Sequence, residues 1–174
     1  MIILGIDPGL ASTGFGAIAC GREALSVFRC GAIKTLPHHH VSHRLFQIHC
    51  DLNELMAAVK PEIVAVENIF SMVRYPRAGI LLGGVMAIIY LTAFQHDTAV
   101  TEVSPREVKN ALVAYGGATK AQVREATKKT LGLNDLRSFH VADALAVALT
   151  VFYRRSRGKS DIVPGRNTKE DIRR

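Results

Sequence analysis

The run EIVAVE, residues 62–67, restricts the fold of this chain more than any other feature. It is short and β-branched, with nothing polar between its two glutamates, so as a strand it has no face to give to water. Such a strand belongs inside a sheet covered on both sides, and the flanking sequence supplies the cover. Before it, Leu45, Ile48, Leu52, Leu55 and Val59 recur at spacings of three and four, which predicts a helix capped by Ser42 and stopped by Pro61. After it, the uncharged stretch AGILLGGVMAIIYLTAF, residues 78–94, predicts a second helix over 77–95.

The remaining pattern completes an α/β plan. Residues 2–6, 13–20 and 24–34 read as three strands divided by glycine and charged turns, an antiparallel meander. TAVTEVS, residues 98–104, adds a fifth strand. Ser104-Pro105-Arg106-Glu107 combines an N-cap, a proline at the first helical position and a reciprocal glutamate, and Gly116 and Gly117 are expected to close that helix. Thr119 with Gln122 opens the next, which ends at a left-handed Gly132. A last helix over 138–155 buries Val141, Ala144, Leu145, Ala148, Val151 and Phe152. The expected fold is a five-stranded mixed sheet, antiparallel in its first three strands and flanked by helices, forming one domain over 1–156.

The stretch 78–94 falls just short of the usual bilayer-spanning length and lacks basic flanks. It is expected to pack on several faces, against the sheet and against a second subunit, and no membrane is expected. Cys20, Cys30 and Cys50 are odd in number and form no CxxC pair, as free thiols of a reducing compartment would. With no secretory pattern at the N-terminus, the expected location is the cytoplasm.

Charge narrows the partners. The formal net charge is +7, which attracts polyanions, nucleic acid first among them. After Tyr153 there are eight Lys/Arg against three Asp/Glu, so residues 157–174 read as a basic, solvated and flexible tail. The histidines of PHHHVSH, residues 37–43, have no Cys or acidic companions and read as an exposed polar turn.

Against this basic background, acids stand at chosen places. Asp7 ends the first strand and Glu67 ends the buried fourth one, so adjacent strands would bring two carboxylates together, where they repel unless a cation lies between them. His140 and Asp143 are three residues apart on one face of the last helix, near its positive end. Taken alone, Asp143 is as well explained by the helix terminus. Taken together, three carboxylates and a histidine suit Mg²⁺ or Mn²⁺, and two such ions about 4 Å apart can activate water and stabilise the leaving oxygen of a phosphodiester.

GIDPGLASTG after the first strand, VAVENIF, SPREVKNALVAYGGATKAQV and HVADALAVAL together resemble the RuvC-type Holliday junction resolvases over residues 1–155. That family consists of dimeric endonucleases with a ribonuclease H-like fold. The resemblance implies a structure-selective endonuclease that resolves four-way DNA junctions by paired symmetric nicks in recombination and repair, a homodimer, and a branch-migration complex as partner. It implies that Asp7, Glu67, His140 and Asp143 form the catalytic metal-binding set. Phe70 matches an aromatic pressed against unstacked bases, and Lys109 and Lys120 match residues that contact DNA near the cut. From the residues alone, Phe70 reads as core and the two lysines as solvated helix charges.

The chain departs from the family's pattern in SMVRYP and LLGGVMA, where an Asn and a Gly-x-x-Arg-Gly stretch are common; Arg74, Tyr75 and Arg77 are the expected substitutes for base contacts. His140 stands where many relatives carry a third aspartate, and imidazole, a softer ligand, shifts the expected preference from Mg²⁺ towards Mn²⁺. The glycines after Asp7 are expected to give positive φ in the turn and room for a sugar-phosphate backbone, a plain hairpin requirement being the alternative for Gly14 and Gly16. Other classes fit less well. An actin-like ATPase needs a second lobe and a second glycine-rich loop. A ribonuclease H-like nuclease acting on RNA shares the acids, and an inactive junction-binding module would not need them intact.

Overall fold

The structure, a computed structural model, describes residues 1–21, 24–68 and 76–158, with the backbone alone at 76 and 77. Ten elements follow in order: β1 (Ile2–Asp7), β2 (Ser12–Cys20), β3 (Leu25–Lys34), α1 (Val41–Val59), β4 (Ile63–Glu67), α2 (Pro76–Gln95), β5 (Ala99–Val103), α3 (Pro105–Val113), α4 (Lys120–Thr130) and α5 (Phe139–Ser156). The sheet order is β3-β2-β1-β4-β5. β1, β2 and β3 pair antiparallel, and β1–β4 and β4–β5 pair parallel, as the meander and the buried fourth strand require. Most of the expected basic tail lies outside the described residues.

Alternation along the strands sorts their side chains into two layers. Leu4, Ile6, Val64 and Val66 join α1 and α2 in one core through Ile48, Leu52, Met56, Val85 and Ile89. Ile3, Ile63, Ala65 and Val103 join α5, α3 and α4 in the other through Leu145, Leu149, Val108 and Val123. Two residues further along each strand, Asp7 follows Ile3 and Gly5, and Glu67 follows Ile63 and Ala65. Both acids are therefore delivered to the α5 side of the sheet.

Glycine sets how close α5 can come. A Cβ on Gly5 would lie 1.9 Å from the Ala144 carbonyl oxygen, and one on Gly14 would lie 2.2 Å from that of His140. Positive φ is not the reason: among the described glycines only Gly132 and Gly158 have it, so the expectation for the loop after Asp7 is corrected. A plain hairpin requirement is not the reason either, because Gly14 and Gly16 lie inside β2, and a Cβ on Gly16 would fall 2.6 Å from the Leu145 side chain. These glycines remove a layer of side chains so that the backbone of α5 sits directly on β1 and β2.

Helix ends follow their local chemistry. Ser104 and Thr119 make the reciprocal capping boxes with Glu107 and Gln122, and Gly132 is left-handed at φ 62 as expected. Two expectations are corrected. His40, not Ser42, caps α1, its Nδ1 accepting from the Ser42 N–H and hydrogen-bonding the Ser42 hydroxyl at 2.9 Å. α3 stops at a left-handed Ala114, before Gly116, with the Ala114 N–H donating to the Asn110 carbonyl.

α2 is long and apolar enough to cross a membrane by length and composition, yet it packs one stripe, including Val85, Ile89 and Ala93, onto the sheet. Only 28% of its 78–95 window is buried within the single chain, less than burial on several faces requires. Ile80 is 76% exposed and Leu91 49%.

Candidate active site

Asp7 and Glu67 sit at neighbouring strand ends because β1 and β4 run parallel with Ile6 opposite Val66. Across β2, Asp7 is paired with Gly14, over which the first turn of α5 lies. That turn is fixed by Ser138, whose side chain accepts from the Val141 N–H. It brings His140 Nδ1 to 2.7 Å from Asp7 Oδ2, joining residues at opposite ends of the chain. One turn on, Asp143 Oδ2 lies 3.1 Å from the Lys120 ammonium at the start of α4.

The electrostatics show that the three carboxylates share one region. Burial, and then the charges of Asp7 and Asp143, push the Glu67 carboxyl up to about 7, with Lys120 opposing. Asp7 is also raised, by burial first and by Asp143, against the lowering effect of the His140 hydrogen bond. Lys120 is held above its ordinary value by Asp143, against partial desolvation. The cluster thus carries more negative charge than Lys120 and His140 neutralise.

A divalent cation fits that donor set: hard carboxylate oxygens, mutually repelling and partly buried, whose ionised forms a metal would favour. As they stand, no three His, Cys, Asp or Glu among the described residues form a ready-made metal cluster, because Asp7 is turned to His140 and Asp143 to Lys120.

The other expected residues divide. Lys120 reaches the site. Lys109, on α3, is half-buried and makes no ion pair among the described residues. Phe70, Arg74 and Tyr75 lie outside the described residues, and Arg77 is described only by its backbone in the first turn of α2.

Sequence reasoning missed a support behind Glu67. Glu102 on β5 pairs with Val66 and therefore faces the α2 side of the sheet. Its carboxylate accepts from the Asn68 side chain at 2.5 Å and from the Tyr90 hydroxyl of α2, which raises the tyrosine's pKa through burial and the neighbouring charge. The Asn68 N–H also donates to the Val103 carbonyl at 2.8 Å. Residue 68 is therefore gripped twice by β5, immediately after Glu67. The available signal was a charged residue inside an otherwise uncharged strand.

Comparison with known proteins gives this arrangement a lineage. The family model described as crossover junction endodeoxyribonuclease RuvC matches residues 3–151. The crossover junction endodeoxyribonuclease RuvC of Legionella pneumophila (strain Corby) is 37% identical over 168 residues, covering 97% of this chain and 95% of the relative. The Thermus thermophilus RuvC structure superposes with a TM-score of 0.85 at 31% identity, covering 94% of this chain and 100% of that one. T. thermophilus RuvC in complex with Holliday junction substrate also gives 0.85, at 29% identity and the same coverage. The chain belongs to the RuvC family of crossover junction endodeoxyribonucleases.

Proposed function

We propose that this protein is a divalent-metal-dependent endodeoxyribonuclease that resolves four-way DNA junctions, with Asp7, Glu67 and Asp143 as the metal-binding carboxylates and His140 beside them. The observation that carries this reading is the convergence of partly buried acids at one sheet edge under the first turns of α5, on a protein of net charge +7: parallel β1 and β4 end side by side at Asp7 and Glu67, His140 reaches Asp7 at 2.7 Å, and burial, then the charges of Asp7 and Asp143, raise Glu67 to about 7. Bound there, Mg²⁺ or Mn²⁺ would polarise the scissile phosphate and lower the pKa of an attacking water, a pair of ions being the usual arrangement for such displacements.

The chain's own groups do the rest. Asp7 and Glu67 come from sheet strands, so their positions relative to each other are rigid. Asp7 holds the His140 ring through Nδ1, and the ring, 53% exposed, is placed to take a proton from water or to ligate, its imidazole favouring Mn²⁺. Lys120 screens Asp143 until a stronger cation or a phosphate competes. Phe70, Lys109 and Lys120 are proposed as DNA-contacting groups around this centre on the strength of the family match, and Arg74, Tyr75 and Arg77 as substitutes where the chain departs from the family's pattern.

A homodimer suits both substrate and surface. A four-way junction is nearly two-fold symmetric, so a two-fold pair puts one site on each of two opposed strands. Ile80, Leu91 and Phe94 of α2 and Phe46 of α1, the last 65% exposed, give such a pair an apolar patch to bury. A branch-migration complex as a further partner, and a cytoplasmic location, rest on family membership alone.

The test is incubation with a synthetic four-way junction, a linear duplex and an RNA–DNA hybrid under Mg²⁺ and Mn²⁺ titration, with sedimentation for the oligomeric state. Paired nicks on the junction alone by a dimer are expected. Preferential cutting of the hybrid would contradict the substrate, and a monomer would contradict the pairing.

A further inference from the structure

Phe139 opens α5 one residue before His140 and is 47% exposed, an odd place for a large apolar ring. The guanidinium of Arg124 lies over it, its central carbon 4.4 Å from the ring centroid. Arg124 stands one helical turn after Lys120 on α4, so the two cations rise from one face of that helix. Their situations differ. Lys120 is paired with Asp143 and Lys128 with Glu125, whereas Arg124 has no ion pair among the described residues.

Stacking on an aromatic ring covers a face of the planar guanidinium and leaves its N–H donors pointing outward in the plane. A free arginine samples many rotamers, and this one is restrained without losing any donor. Planar paired donors match the oxygens of a phosphodiester. The nearest source of such a group is the strand that must lie across Asp7, His140 and Asp143 to be cut.

We propose that Arg124, held flat by Phe139, binds a backbone phosphate of the DNA strand beside the cleavage site. The contact rests on the reading of the chain as a junction nuclease. It extends the cationic track from Lys120 along α4, and it gives the exposed ring a function the core does not.

The test is junction binding by fluorescence anisotropy in EDTA, so that nothing is cut, from about 50 to 200 mM salt. Arg124→Gln is expected to reduce the slope of log affinity against log salt by about 0.9 for each protomer engaged, about 1.8 for a dimer with both sites on the junction, and near 0.1 M salt to weaken binding by about eightfold per contact. Arg124→Lys is expected to keep the slope. Phe139→Ala is expected to weaken binding in the parent protein and to change nothing further in Arg124→Gln, with melting curves confirming that each variant is folded. An unchanged slope and affinity in Arg124→Gln, or fully additive effects of the two substitutions, would overturn the contact while leaving the nuclease reading intact. Absence of salt-linked junction binding by the parent protein would overturn both.

Discussion

The ammonium nitrogen of Lys120 lies 3.1 Å from Oδ2 of Asp143, so a residue expected to touch DNA is occupied by a carboxylate of the proposed metal-binding set. The lysine side chain is 75% exposed and the aspartate 19%, so the pair is weak, worth at most about 1 kcal/mol after solvent screening. It should therefore compete with a divalent cation without excluding it. In Lys120→Gln, Mn²⁺ binding measured by calorimetry without DNA is expected to tighten by up to about fivefold, while junction affinity falls. Unchanged Mn²⁺ affinity would show that the lysine does not compete at the site.

Glu67 makes the metal-free protein sensitive to pH. Its folded-state pKa is about 7, above its ordinary value, so its ionisation works against folding. The stability associated with the protonated form is fully present below the unfolded pKa and is lost as pH rises through about 7. Glu67→Gln removes that loss. In EDTA the variant is expected to melt a few °C above the parent at pH 8, at about 2–4 °C per kcal/mol, with the gap closing at pH 4. A variant that melts below the parent at pH 8 would mean that ionising Glu67, buried beside Asp7 and Asp143, costs the fold nothing.

Gly14 should be intolerant of any side chain. Its added Cβ would fall 2.2 Å from the His140 carbonyl oxygen and 2.9 Å from the His140 Cβ, with backbone on both sides of the clash. Gly14→Ala is expected to cost about 1–3 kcal/mol and to depress cleavage beyond the loss of folded protein, because the displaced segment carries His140. Full activity per folded molecule, at a lowered Tm, would separate packing from positioning.

Glu102 touches none of the reacting groups and is expected to act by holding Asn68, and through it the end of β4. In Glu102→Gln, one carboxylate acceptor becomes an amide donor facing the donors of Asn68 and Tyr90. The expected result is about a tenfold or larger fall in kcat with junction affinity unchanged, since small misplacements of a reacting group are costly. A change confined to thermal stability would reduce Glu102 to a structural role.

How much of this was legible in the sequence depended on the range of the interaction. The strand ends carrying Asp7 and Glu67, the capping boxes of α3 and α4 and the left-handed Gly132 are set by residues within a few positions, and the structure follows them. The reason for Gly14 and Gly16 lies in α5, more than a hundred residues away, so the sequence pointed to turn geometry where close helix packing was at work. Glu102 was hidden for the same reason: its partners belong to α2 and to the residue after β4. The pairing of Lys120 with Asp143 required knowing that the starts of α4 and α5 face each other. His40 capping α1 was a local signal, missed because imidazole is an uncommon acceptor for a helix N–H.

The most direct measurement is cleavage of a synthetic four-way junction by the parent protein, Asp7→Asn and Glu67→Gln, with junction affinity measured in parallel. The parent is expected to make divalent-metal-dependent paired nicks on opposed strands, and both variants to bind the junction as the parent does while cutting at least a hundredfold more slowly, on the order of one catalytic group lost. Mg²⁺-dependent nicking at the parental rate by Asp7→Asn would contradict the assignment of these carboxylates as the metal site.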